Sequence, residues 1–253
     1  MHTVTVRGVE IGAGKPKICV PIVEHTREDI SAAAKKLSQI PFDIVEWRID
    51  WYDEVEDSDM VLDTLRGLRE ILGEKPILVT FRSEKEGGKR SISLEYYEQL
   101  LTELAAGGEA DLIDVEIFTG DEVVNRIIER VHESGCNVIA SNHDFQKTPE
   151  MQELIRRLCK MQEMQADIAK IAVMPQSRQD VLTLLSATER MNREHARVPI
   201  VTMSMGSTGL ISRLCGECFG SAITFGAAGK VSAPGQMEAA RLKQVLEAIH
   251  SAL

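Results

Sequence analysis

Short, nearly unbroken apolar runs alternate along the chain with longer stretches whose apolar positions recur every three or four residues. The short runs are KICVPIV (17–23), IVEWRID (44–50), PILVTFR (76–82), LIDVEIF (112–118) and NVIASNH (137–143). IAKIAVM (168–174), PIVTMSM (199–205) and AITFG (222–226) complete a set of eight. Amphipathic helical patterns lie between them, among them DMVLDTLRGLREIL, EVVNRIIERVHESG and DVLTLLSATERMNRE. Two helical patterns run into Gly107 and Gly135, placed as helix C-caps often are. Eight strand-then-helix repeats with strands apolar on both faces predict a parallel sheet covered by helices. Closing that sheet without an edge gives an α/β fold of the (β/α)8 TIM-barrel type, one domain over 1–253. An open doubly wound sheet competes, but no G-x-G-x-x-G follows the first strand. The opening TVTVRGVEI predicts a short hairpin turning at Arg7 and Gly8, placed to plug one barrel mouth.

In such a barrel chemistry sits at the C-terminal ends of the strands, so polar residues there matter most. The second strand carries Glu46, Arg48 and Asp50 at alternate positions, predicted to share one inward face. The third ends at Arg82, the fourth carries Asp114 and Glu116, and the fifth ends Ser141, Asn142, His143. Inward charges can also pair with one another as a structural network, and for Asp50, Asp114 and Glu116 that reading stands level with a functional one. Lys170 lies in the middle of the sixth apolar strand, where an ammonium is costly to desolvate. Burial favours a neutral amine that can attack a carbonyl carbon; the alternative is a lysine that snorkels or pairs with a carboxylate. His143, one strand away, titrates in the range useful for moving protons.

The net charge of -10 argues against nucleic acid or an anionic membrane as the main partner, though not against a small anionic substrate. The N-terminus lacks a signal-like apolar stretch and no run of about 18 apolar residues occurs, so a cytoplasmic protein is expected. Five scattered cysteines fit a reducing compartment, and the lone C-x-x-C at Cys215 and Cys218 fits packing better than a zinc or redox site.

EWRID from Glu46, FRSEKEGG from Phe81, SNHDFQKTP from Ser141, KIAVMPQ from Lys170, TMSMGSTGLISR from Thr202 and SAPGQ from Ser232 occur in this order. Together they resemble the type I 3-dehydroquinate dehydratases over essentially the whole chain. The resemblance implies elimination of water from 3-dehydroquinate through a Schiff base on Lys170, with no metal or cofactor and as a homodimer. His143 would serve as general acid and base, and Glu86 would hold it; without the family, Glu86 reads as a solvated loop charge. Glu46, Arg48 and Arg82 would recognise ring hydroxyls and Arg213 the carboxylate, which a guanidinium fork suits. Ser232 and Gln236 would belong to a closing lid, although the same residues also suit a helix entry. Met203, Met205 and Phe225 would form an apolar wall, with core packing as the plain alternative. Pro21 stands where several relatives have a serine that contacts substrate, so that contact would be lost or replaced. Gly206, Ser207 and Thr208 are assigned no role. A Schiff-base aldolase on the same barrel remains the rival enzyme; Gly206, Gly209, Gly226 and Gly229 could cradle its substrate's phosphate. A barrel that only binds a ligand would not need Lys170, His143, Glu86 and Arg213 together.

Overall fold

A computed structural model describes residues 2–230 and 232–253. The chain opens with β1 (Val4–Val6) and β2 (Val9–Ile11), an antiparallel pair whose turn places Arg7 and Gly8 at positive φ, as a tight primed turn requires. The eight strands that follow are β3 (Lys17–Ile22), β4 (Ile44–Arg48), β5 (Ile77–Thr80), β6 (Leu112–Glu116), β7 (Asn137–Asp144), β8 (Ile168–Val173), β9 (Ile200–Ser204) and β10 (Ile223–Ala227). From β3 to β9 each pairs in parallel with the next, and β10 pairs with β3. Ala222 N–H donates to Ile200 C=O at 2.8 Å beside an Ile200–Ser221 bridge, closing the ring between β9 and β10. A two-residue strand, β11 (Met237–Glu238), adds to the outer end of β10.

The connecting helices are α1 (Arg27–Leu37), α2 (Ser58–Leu72), α3 (Leu94–Ala106), α4 (Asp121–Glu133), α5 (Met151–Glu163) and α6 (Arg178–Glu194). Two short turns, α7 (Leu210–Leu214) and α8 (Gly216–Phe219), precede the terminal α9 (Ala239–His250). Thr26, Asp57, Ser93 and Ser177 cap α1, α2, α3 and α6 by accepting an N–H three residues on. Gly135 leaves α4 at positive φ; after α3 that role falls to Gly108, because Gly107 keeps helical backbone. None of the described helices is long and apolar enough to cross a membrane.

Strand alternation divides the apolar residues into two cores. Val20, Trp47, Val79, Val115, Ala140 and Ile171 face outward and pack beneath the helices. Cys19, Ile44, Leu78, Leu112, Ile139, Ile168 and Ile223 face inward as a floor that Val6 and Ile11 of the hairpin seal from below. At about 1.5–3 kcal/mol per fully buried large apolar side chain, these two layers supply the driving force that permits charge above the floor. The next inward positions towards the strand ends are Glu46, Thr80, Asp114, Ser141 and Lys170, all buried.

Candidate active site

Lys170 points into the barrel with 3% of its surface exposed. Its Nζ donates to Asp114 Oδ2 at 3.1 Å, lies 3.7 Å from Glu46 Oε1, and sits 4.7 Å from the centre of the Phe225 ring. The carboxylate pairing offered as an alternative for this lysine is present, at a position that also lines the cavity. Two carboxylates flank it, as they must if a buried ammonium is to be tolerated.

Asp114 also accepts from Arg82 Nη2 at 2.7 Å and Ser141 Oγ at 2.6 Å. Burial alone would raise its pKa, but Arg82, Lys170 and these hydrogen bonds hold the carboxyl below its ordinary range. Arg82 donates through Nη1 to Glu116 Oε1 at 2.9 Å and Ser141 Oγ at 3.0 Å, so both Nη groups serve the protein's own network. Glu116 receives Ser83 N–H and Oγ as well. The carboxylates on β6, which the sequence left undecided, are therefore counter-ions of the site. Their signal was visible as two acids inside the apolar run LIDVE.

His143 follows Ser141 on β7, two positions nearer the mouth than the level of Lys170. Glu86 holds it through two bonds, Oε2 taking His143 N–H at 2.8 Å and meeting Nδ1 at 2.9 Å, while Oε1 takes Asn142 Nδ2 at 2.9 Å. A carboxylate ringed by donors selects the Nδ1–H tautomer and leaves the Nε2 lone pair free. Burial and the cations Arg82, Lys170 and Arg48 push the imidazole well below its usual pKa. Burial raises Glu86 to about 7, against the pull of Arg82.

Glu86 reaches this place because its loop folds back. Glu84–Glu86 form one 3-10 turn, Gly87 leaves it at φ 85°, and Gly88 N–H donates to Ser83 C=O at 2.8 Å. A Cβ on Gly88 would stand 1.7 Å from the Arg82 carbonyl oxygen, so only glycine fits. Gly88→Ala should pull Glu86 off His143 and cut kcat roughly 10²-fold, with the thermal melt changed far less. Activity and melting measured on the same preparation check this.

On the opposite wall Arg213, 2% exposed, forms no ion pair among the described residues. Its Nη2 donates to Pro234 C=O at 3.2 Å, Nη1 lies 3.4 Å from Met203 Sδ, and Nε is buried without a partner. Burial lowers this guanidinium to about 10. Desolvating an unpaired cation costs several kcal/mol, and a bound anion would offset that cost. The loop of residues 232–236 crosses here: Pro234 C=O also accepts Gly206 N–H at 3.2 Å, and Ser232 and Gln236 exchange two hydrogen bonds of 2.9 Å.

Glu46, Arg48, Arg82, Glu86, His143, Lys170, Met203, Met205, Arg213, Phe225, Ser232 and Gln236 all line one cavity at the strand ends, joined by Gly87, Phe145 and Ala172. Pro21 lines a separate groove against α1. Asp50 departs from the expected shared strand face: β4 ends at Arg48, and Asp50 sits in a 3-10 turn, Ile49–Trp51, gripping the Arg48 guanidinium.

The Type I 3-dehydroquinase family pattern matches residues 18–252. The chain belongs to the type I 3-dehydroquinase family. Among its relatives, 3-dehydroquinate dehydratase of Clostridium kluyveri (strain ATCC 8527 / DSM 555 / NBRC 12016 / NCIMB 10680 / K1) is 53% identical over 247 residues, covering 97% of each chain. The 3-dehydroquinate dehydratase of Clostridioides difficile (strain 630) is 50% identical, over 99% of this chain and 98% of that one. The crystal structure of type I 3-dehydroquinate dehydratase from Clostridium difficile with covalent modified comenic acid superposes with a TM-score of 0.98, at 50% identity and full coverage of both chains. A 3-hexulose-6-phosphate synthase shares the barrel at a TM-score of 0.62 and 16% identity, which speaks to fold alone. Within the type I 3-dehydroquinase family the activity is that of a hydro-lyase.

Proposed function

We propose that this enzyme removes water from 3-dehydroquinate to give 3-dehydroshikimate, through an iminium on Lys170 and with His143 moving the protons. One observation carries the assignment of roles: a buried lysine, a carboxylate-held histidine and an unpaired buried arginine open into the same cavity.

The steps balance within that cavity. Lys170 Nζ reacts as the free amine: its lone pair bonds to the ring ketone carbon, one proton shifts from nitrogen to oxygen, and a second, the one the ammonium gave up, completes the water that leaves as the iminium forms. The nitrogen is positively charged in the iminium, which Asp114 and Glu46 at 3.1 and 3.7 Å from Nζ stabilise. The iminium withdraws electrons from the neighbouring carbon, and His143 Nε2 takes its proton. The resulting enamine expels the β-hydroxyl, which takes that proton from His143 and departs as the second water. Water then adds to the conjugated iminium, freeing product and Lys170, for a net loss of one water. Arg213 receives the carboxylate, Glu46, Arg48 and Arg82 face the ring hydroxyls, and Met203, Met205 and Phe225 pack on the ring's apolar edge. Ser232 and Gln236 close the lid.

The aldolase reading is less well supported. Gly206 N–H is already spent on the lid, and Gly226 packs against Ala239 with a built Cβ only 3.0 Å from its Cα, so neither is free to cradle phosphate.

The test follows the enone absorbance of the product. Its rate should fall as pH drops below about 7, where the Glu86–His143 pair takes up a proton and the Nε2 base is lost. Glu86→Gln, which cannot ionise, should remove the limb near pH 7 and lower kcat roughly 10²-fold. An unchanged limb would take Glu86 out of the scheme, and aldol cleavage without enone would overturn the reaction itself.

A further inference from the structure

Asp50 lies outside the pocket, yet its carboxylate is fully buried and accepts four hydrogen bonds in a divided pattern. Oδ1 takes Arg48 Nε at 2.7 Å and Arg82 N–H at 3.3 Å. Oδ2 takes Arg48 Nη2 at 2.8 Å and Lys89 N–H at 3.1 Å. Each oxygen therefore serves one guanidinium N–H and one backbone N–H, and the two backbone donors stand at either end of the loop that carries Glu86. The main chain around Asp50 is bound to the same loop. Arg90 Nε donates to Asp50 C=O at 3.1 Å, and the Lys89 ammonium lies 4.1 Å from the centre of the Trp51 ring.

Two functional groups thus hang on one carboxylate. Arg48 reaches the cavity with a direction fixed by its bidentate grip on Asp50, since a planar guanidinium held along one edge can present only the other. The loop from 82 to 89 holds Glu86 against His143, and Asp50 pins both of its ends. We infer that Asp50 is a positioning residue for this reaction, tying the ring-binding Arg48 to the Glu86–His143 pair so that substrate contact and proton transfer share one support. This rests on the dehydration reading above. Asparagine would not serve: its amide N–H₂ would face two donors, breaking one bond to Arg48 and one to the loop.

Steady-state kinetics and the pH profile separate the two arms. Asp50→Asn should raise KM about tenfold through Arg48, lower kcat about tenfold, and shift the acid limb of kcat. Arg48→Ala should raise KM and leave the limb in place. In the Arg48→Ala background Asp50→Asn should lower kcat and move the limb while adding little to KM. A merely structural Asp50 would alter the fraction of active protein but neither the limb nor the KM coupling. Wild-type kcat and limb in Asp50→Asn, or a KM effect undiminished without Arg48, would overturn the inference. If Asp50→Asn does not fold, the pair Arg48→Met with Asp50→Leu removes guanidinium and carboxylate together. Compared with Arg48→Met alone, it should still show the kcat loss and the moved limb, and an unmoved limb there would equally refute the role. Wild-type protein runs in parallel: its failure to dehydrate 3-dehydroquinate would instead indict the assigned reaction.

Discussion

Lys170→Ala should abolish the covalent intermediate and lower kcat by at least about 10⁴-fold, the scale seen when a covalent nucleophile is removed. Borohydride added with 3-dehydroquinate should fix ligand mass to Lys170 in the wild-type protein and none in the variant. Folding should survive the change. Asp114 keeps Arg82 and Ser141 as donors, and Glu46 keeps the Thr80 hydroxyl, so neither carboxylate is left without a hydrogen-bond donor. That distinguishes chemistry from collapse, because a variant that melts near the wild-type temperature yet forms no adduct has lost the nucleophile alone. Adduct on another lysine, or turnover within tenfold of wild type, would remove Lys170 from the reaction. The barrel explains why one residue carries so much. Nζ stands between two carboxylates and over the Phe225 ring, in the cavity that Arg213 also lines.

What the chain disclosed beforehand follows from how local each signal is. Strand and helix alternation is a local pattern, and all eight inferred runs became barrel strands, with the hairpin at the foot. Lys170 and His143 were legible as cavity residues because a cation inside IAKIAV and a histidine at the end of NVIASNH break an apolar pattern on strands that open into the cavity. The surroundings of Lys170 were not, because Asp114 lies 56 residues away and only the closed barrel brings it within 3.1 Å. A carboxylate partner was one of the readings open for this lysine, and pairing across strands supplies Asp114 and Glu46. Glu86 was hidden for a related reason. RSEKEGGKR reads as solvated loop by composition, and two glycines with special backbone demands turn it inward. Asp50 obeyed the alternation rule only while β4 lasted. The strand ends two residues sooner than the pattern suggests, and the following turn converts a wall residue into a clasp.

His143→Ala should still allow imine formation on Lys170 while lowering turnover on the order of 10⁴-fold, the upper end for loss of a general acid–base group. The trapped species carries the argument. In the variant, borohydride should fix intact substrate, because proton removal comes before expulsion of the hydroxyl; in the wild type, the species one water lighter should also appear. The choice of base is constrained by what else faces the cavity. Asp114 is committed to Lys170, Arg82 and Ser141, and Glu86 meets His143 and Asn142, so Glu46 is the one carboxylate near the reacting nitrogen with a single hydrogen-bond donor, Thr80. Full turnover in His143→Ala would therefore hand the proton step to Glu46, and Glu46→Gln would then have to stop the reaction. The observed geometry favours the imidazole. Burial and three neighbouring cations hold it neutral, Glu86 fixes its tautomer, and a neutral base beside an iminium gains from the positive charge that acidifies the carbon between them.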